Sequence, residues 1–207
     1  MQVNDNRKFW DRWAGRYDWM MKTDAATYER IAENIRSALN REMIVLELAC
    51  ATGILSELIA DRLNHLEATD FSEQMITEAR KRQQSANIHY ALQDATRLSY
   101  PDHMFDAVII SNALHILPHP EKALAEIRRV LKPGGILFAP TYTAAESFFG
   151  KIKVCLMELS GFRVFHKWNS RSYLRFLQSS GFQITSAETF GTVLKLTYVQ
   201  AQIMEDL

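Results

Sequence analysis

The stretch Glu47-Leu48-Ala49-Cys50-Ala51-Thr52-Gly53 places small residues at alternate positions between an apolar run and a helix-patterned one. Small side chains there let a ligand approach the backbone. The helix start beyond them offers free N–H groups and a partial positive charge. Ordinary tight turns use the same residue types, so this stretch alone does not decide. Asp70 lies 17 positions past Gly53, at the end of the next apolar run. A carboxylate there can accept hydrogen bonds from both hydroxyls of a ribose lying over a sheet edge. Asp94 closes a third run and is followed by small Ala95. That carboxylate can accept from the exocyclic amine of adenine, and the next N–H can donate to the ring. Either acid alone also reads as a turn or cap residue. All three features in this order frame one adenosine.

Such positions need parallel strands to carry them. MIVLELA (43–49) is a short apolar run with β-branched residues, the pattern of a strand buried on both faces. HLEATD (65–70), NIHYALQDA (87–95), FDAVIISNA (105–113) and ILFAPTY (136–142) are further strand candidates. Between them lie helical runs. Ser72 can cap EQMITEARKRQ, and EKALAEIRRVL is preceded by Pro118 and Pro120 and stopped by Lys132-Pro133-Gly134-Gly135. This alternation implies right-handed βαβ units and a doubly wound α/β fold with helices on both faces. Residues 1–40 read as an N-terminal helical cap in which Phe9, Trp10, Trp13 and Tyr17 share one face. SRSYLRFLQSSG is a helix with a glycine stop. FQITSAETF and TVLKLTYVQ, separated by Gly191 and Thr192, read as a C-terminal antiparallel hairpin. The expectation is one domain over 1–207 built on a mostly parallel seven-stranded sheet.

Composition narrows the function classes. Of 207 residues, 47% are hydrophobic and 23% charged, which excludes a disordered or collagen-like chain. No apolar run approaches the ~20 residues of a membrane helix, and MQVNDNRKFWDRW lacks the pattern of a signal peptide. Lys+Arg and Asp+Glu are both 24, so no global positive field attracts nucleic acid. Cys50 and Cys155 form neither a disulfide framework nor a metal spacing. A cytoplasmic protein without a metal is expected.

FWDRWAGRYD, VLELACATG, TDFSEQM, QDATRL, FDAVIISNALHIL and EIRRVLKPGG together resemble the class I S-adenosylmethionine-dependent methyltransferases, and within them the small-molecule branch of quinone and lipid-type enzymes. The resemblance runs from Phe9 to about Tyr142. It implies S-adenosylmethionine as cofactor and assigns roles. Ala49, Ala51 and Gly53 match the glycine-rich loop beside the methionine moiety, and Glu47 is its acid. Asp70 would hold the ribose, Phe71 and Met75 would flank adenine, and Asp94 and Ala95 would contact its edge. Ser111 and Asn112 would floor the methionine chain, and Tyr17 would belong to the helix closing over it. The departure is Ala49 and Ala51 where glycine is usual. At φ > 0 the second alanine would cost roughly 1 kcal/mol or more.

Methyl transfer from a sulfonium is a direct displacement, so the protein mainly aligns the reactants and excludes water. His115, three residues after Asn112, is the candidate base or substrate orienter. The other histidines, His166 included, read as surface or turn residues. Trp13, Tyr142, Phe149 and Trp168 are the candidate pocket walls, with residues 144–168 as a lid. Residues 150–175 carry six Lys/Arg against one acid, Glu158. That suits an anionic or apolar small-molecule substrate, or simply a solvated helix face. A monomer or homodimer is expected, with nucleic acid excluded as a partner. The competing functions are a non-catalytic cofactor-binding protein and a nicotinamide oxidoreductase. The latter lacks the G-x-G-x-x-G loop that embraces a pyrophosphate.

Overall fold

The computed structural model describes residues 6–143, 158, 161–191 and 195–204. Its central sheet is mixed and mostly parallel. Strands β1 (Val45–Leu48), β2 (Leu66–Asp70), β3 (Ile88–Leu92), β4 (Phe105–Ile110) and β5 (Leu131–Phe138) pair in parallel in the order 3-2-1-4-5. Strand β6 (Thr141–Tyr142) is a two-residue strand set off from β5 by Ala139-Pro140. The C-terminal hairpin is β7 (Phe182–Phe190) and β8 (Leu196–Ile203), and β8 runs antiparallel to β5, β6 and β7. The expected doubly wound sheet with its reversed last strand is therefore present. The Lys132-Pro133-Gly134-Gly135 stop does not lie outside the sheet. It forms an irregularity within β5, where the register steps from Phe105–Leu131 to Ala107–Ile136.

Alternation along the strands sends neighbouring residues to opposite faces. Val45, Ala107 and Ile109 join one core with helices α3 (Ala25–Ala38), α4 (Ile54–Ile59) and α5 (Glu73–Arg82). Leu46, Leu48, Val108 and Ile110 join the other, with α6 (Pro120–Val130) and α7 (Ser170–Ser179). Helix α6 buries Ala123, Leu124, Ile127 and Val130 along one stripe and starts with Pro120 in its first turn. Helix α7 opens with a capping box between Asn169 and Ser172. Its fully buried Tyr173 donates its hydroxyl to the Ala139 carbonyl at 2.7 Å. This bond anchors the helix at the break between β5 and β6.

The N-terminal residues form α1 (Arg7–Trp13) and α2 (Tyr17–Met21), joined by a 3-10 turn at Ala14–Arg16. Both ends of α5 clasp them. Ser72 caps α5 by accepting from the Met75 N–H, and its own hydroxyl donates to Asp11. At the other end Arg82 pairs with Asp18, which also accepts from the Thr52 hydroxyl. The α1–α2 segment is thereby held beside the carboxyl ends of β1 and β2.

Tyr173→Phe removes the buried O–H and strands the Ala139 carbonyl. We expect a loss of roughly 1–2 kcal/mol in the free energy of unfolding by urea, with near-native spectra. An unchanged midpoint would show that this bond does not anchor α7.

Candidate functional site

The sequence between β1 and α4 must turn sharply, and it does so at a cost. Ala49 and Ala51 both adopt left-handed backbone, with φ of 54° and 50°, and Gly53 caps α4 at φ 78°. The alanine departure therefore falls where the backbone requires φ > 0. Two interactions hold the loop in this conformation. The Cys50 N–H donates to the Thr69 carbonyl on β2, and the Ala51 N–H donates to Asp70 Oδ2, both at 2.9 Å. Asp70 Oδ1 accepts from the Ser72 N–H at 2.9 Å. Burial pushes the Asp70 carboxyl up to about 6 in spite of these donors.

The loop, the end of β2 and the turn after β4 open onto a cavity of about 420 Å³. Ala49, Ala51, Asp70, Phe71 and Met75 line it from the first two strands. Asp94 and Ala95 line it beyond β3, where Asp94 Oδ1 also accepts from Thr96. From beyond β4 come Ser111, Asn112 and His115. The backbone of Asn112 is left-handed as well, at φ 53°, and its N–H donates to the Pro140 carbonyl. Ser111 Oγ and both polar atoms of the Asn112 amide are buried without a well-formed protein hydrogen bond, the Tyr28 hydroxyl being the polar group that the amide faces. Buried polar groups are rarely left so, and a polar ligand in the cavity would supply what they lack.

Tyr17 and Tyr142 also line the cavity. The Tyr17 hydroxyl lies 3.3 Å from that of Tyr28, and Tyr142 donates to Asp24 at 3.1 Å. His115 is buried, with Nδ1 2.9 Å from the Thr141 hydroxyl. Burial, reinforced by His166 nearby, lowers its pKa to about 4. It is a neutral imidazole at pH 7, suited to hydrogen bonding and a weak proton acceptor.

Four expected site residues lie away from the cavity lining. Glu47 points to the α4 side of the sheet, where Ser56 donates to it, and burial pushes its carboxyl up to about 8. Gly53 is required by its φ and by Tyr90, whose hydroxyl a Cβ would strike. Trp13 packs on Phe9 with Arg16 over its ring. Trp168 stacks on Phe176 and tilts over Tyr173, against the second core. Phe149 and most of the 144–168 lid lie outside the described residues.

Other residues take the walls. Trp10, on the same stripe as Trp13, lines the cavity and meets Phe162 and Tyr17 edge-on. Tyr28 and Asp24 line it from α3 and the turn before it; in the sequence Tyr28 belongs to the same stripe as Ile31 and Ile35 and reads as core. His166 lines it too, against its reading as a surface residue, and no spacing in the sequence marks it. Asn6 closes this side by bonding both the Ile116 carbonyl and the Arg163 backbone.

Residues 46–139 match the family described as Methyltransferase domain. The chain is 32% identical over 142 residues to a demethylmenaquinone methyltransferase of Leptospira interrogans, covering 63% of this chain and 57% of that protein. It is 35% identical over 146 residues to a ubiquinone/menaquinone biosynthesis C-methyltransferase of Hydrogenovibrio crunogenus, covering 66% and 58%. The chain thus spans little more than half the length of these curated relatives. A solved SAM-dependent methyltransferase from Aquifex aeolicus shares the fold, with a TM-score of 0.65 at 19% identity over 84% of this chain and 89% of that one.

Two predictions follow from the loop and the acid beneath it. Relief of left-handed strain is worth roughly 1–2 kcal/mol, offset by roughly 0.5–1 kcal/mol of added chain entropy for glycine. Ala49→Gly and Ala51→Gly should each raise the unfolding free energy by about 0.5–1 kcal/mol in urea; a loss would mean that the alanines are not strained. Glu47 keeps its proton in the fold where the unfolded chain has lost it. The stability this gives is complete below the ordinary carboxylate range and lost as pH rises through about 8. Glu47→Gln should flatten the fall in melting temperature between pH 6 and 9, and an undiminished fall would assign it to another group.

Proposed function

We propose, from the match of residues 46–139 to the Methyltransferase domain family, that the protein transfers a methyl group from S-adenosylmethionine to a small aromatic acceptor of the quinone type. The observation that carries this reading is the set of buried polar atoms on Ser111 and Asn112 without a well-formed hydrogen bond, in the same cavity as Asp70 and the strained loop.

The residues fit the cofactor. Each oxygen of the Asp70 carboxylate takes one N–H, which leaves acceptor capacity for two ribose hydroxyls. Asp94 and the Ala95 N–H would meet the adenine edge, and Phe71 and Met75 its faces. Ser111 and Asn112 would hold the polar end of the methionine chain, with Ala49 and Ala51 close to it and Tyr17 above. When bound, S-adenosylmethionine supplies a methyl group already activated by its positive sulfur. The chain's own task is alignment and exclusion of water. Trp10 and Phe162 shield the cavity, and the clasped α1–α2 segment lies over it. His115 orients the acceptor as a neutral hydrogen-bonding group, since a pKa of about 4 makes it a poor base at pH 7.

The acceptor is apolar rather than anionic. The carboxylates of Asp24, Asp70 and Asp94 line the cavity, and the lining Lys167 is paired with Glu158. An acceptor of this kind resembles those in the names of the demethylmenaquinone and ubiquinone/menaquinone relatives. Among the described residues no helix is long and apolar enough to cross a membrane.

The test is transfer of labelled methyl from S-adenosylmethionine to a panel of hydroxylated aromatic acceptors. Wild type should label at least one of them. Asn112→Gly preserves the left-handed backbone and removes the amide, so it should raise the KM for S-adenosylmethionine about tenfold. No labelling of any acceptor, or an unchanged KM in the variant, would contradict the reading.

A further inference from the structure

His166 is a second imidazole at the cavity, half-buried, and methyl alignment leaves it without a task. Its backbone N–H donates to the His115 carbonyl at 3.0 Å, which joins the 161–168 segment to the turn after β4. Its ring stacks on Trp168 with centroids 4.9 Å apart and planes 15° apart. Trp168 in turn stacks on Phe176 and tilts over the fully buried Tyr173 of α7. The ring is therefore fixed by a column of aromatics anchored in the second core. Its Nε2 is nonetheless buried with no hydrogen-bond partner. A rigidly held polar atom without a partner costs stability, unless a ligand completes it. The surroundings describe that ligand: Trp10, Phe162 and Val164 offer an apolar and aromatic wall, and His115 lies on the same side.

We propose that His166 Nε2 is the hydrogen-bond partner of a hydroxyl on the aromatic acceptor, and that Trp168 acts through it as a positioning residue. The proposal rests on the methyl-transfer reading, and it also gives Trp168 a part in acceptor binding that its position away from the cavity would otherwise deny.

The test uses the full chain saturated with S-adenosylhomocysteine and measures binding of 1,4-naphthohydroquinone, without oxygen, against naphthalene, which has the ring and no hydroxyl. His166→Phe and His166→Leu should weaken naphthohydroquinone three- to tenfold and leave naphthalene unchanged, the effect of one lost hydrogen bond. His166→Gln, which keeps a hydrogen-bonding group at similar reach, should recover most of the loss. Trp168→Leu should raise the KM of the hydroquinone with little change in kcat. Equal affinity in wild type and variants, a parallel loss of naphthalene, or no binding of naphthohydroquinone by wild type would overturn the assignment. If S-adenosylhomocysteine itself fails to shift the melting temperature, the methyl-transfer reading fails instead.

Discussion

The Asp70 carboxylate takes an N–H from each of the two turns that floor the cavity, Ala51 after β1 and Ser72 after β2. Everything nearby depends on that bridge. It helps hold two alanines in a backbone region that alanine avoids, keeping the loop low enough for a ligand to lie across it. It also fixes the start of α5, whose capping Ser72 reaches Asp11 and whose far end reaches Asp18 through Arg82. The N-terminal cap is therefore connected through a few polar contacts to the residue that the proposed cofactor would occupy. A buried carboxylate with two N–H donors retains spare lone pairs, so the same group can organise the loop and receive a ligand.

The opposite wall is built by different means. Beyond β4 the chain turns through left-handed Asn112, and the amide left without a well-formed hydrogen bond faces the same space as the strained loop. His115 is buried against Thr141 and kept neutral, so this wall is polar without being charged. Aromatic side chains from α1 and the 161–168 segment then cover it, held by Asn6 at one end and by the Trp168 stack at the other. Strong polar features on the strand ends and apolar cover from the flanks suit a reaction that needs alignment and dryness more than acid-base chemistry.

The sheet was legible because its signals are local. A run such as Val45–Leu48, buried on both faces, is apolar except where a single acid is neutralised by its surroundings. Ser72 before Glu73 and Pro120 at the head of α6 mark their helices by cap chemistry alone. The acids at the strand ends could be placed for the same reason, since a strand's carboxyl end is fixed once the strand is. What could not be read is which side of a residue the fold uses. Glu47 sits beside the loop in sequence, yet strand alternation turns it towards Ser56 on α4. Trp10 and Trp13 share a helical stripe, but only the first faces the cavity, where it meets Phe162 from a segment more than 140 positions away. His166 carries no periodic or motif signal at all; its position is set by a backbone bond to His115 and a stack on Trp168, both tertiary.

The most direct test of the central claim is a calorimetric titration of the protein with S-adenosylhomocysteine and, separately, NADH, for wild type and Asp70→Asn. The account predicts saturable binding of one S-adenosylhomocysteine per chain, weakened at least tenfold by the substitution, and no saturable heat with NADH. Saturable binding of NADH, or no binding of S-adenosylhomocysteine at millimolar concentration, would contradict it.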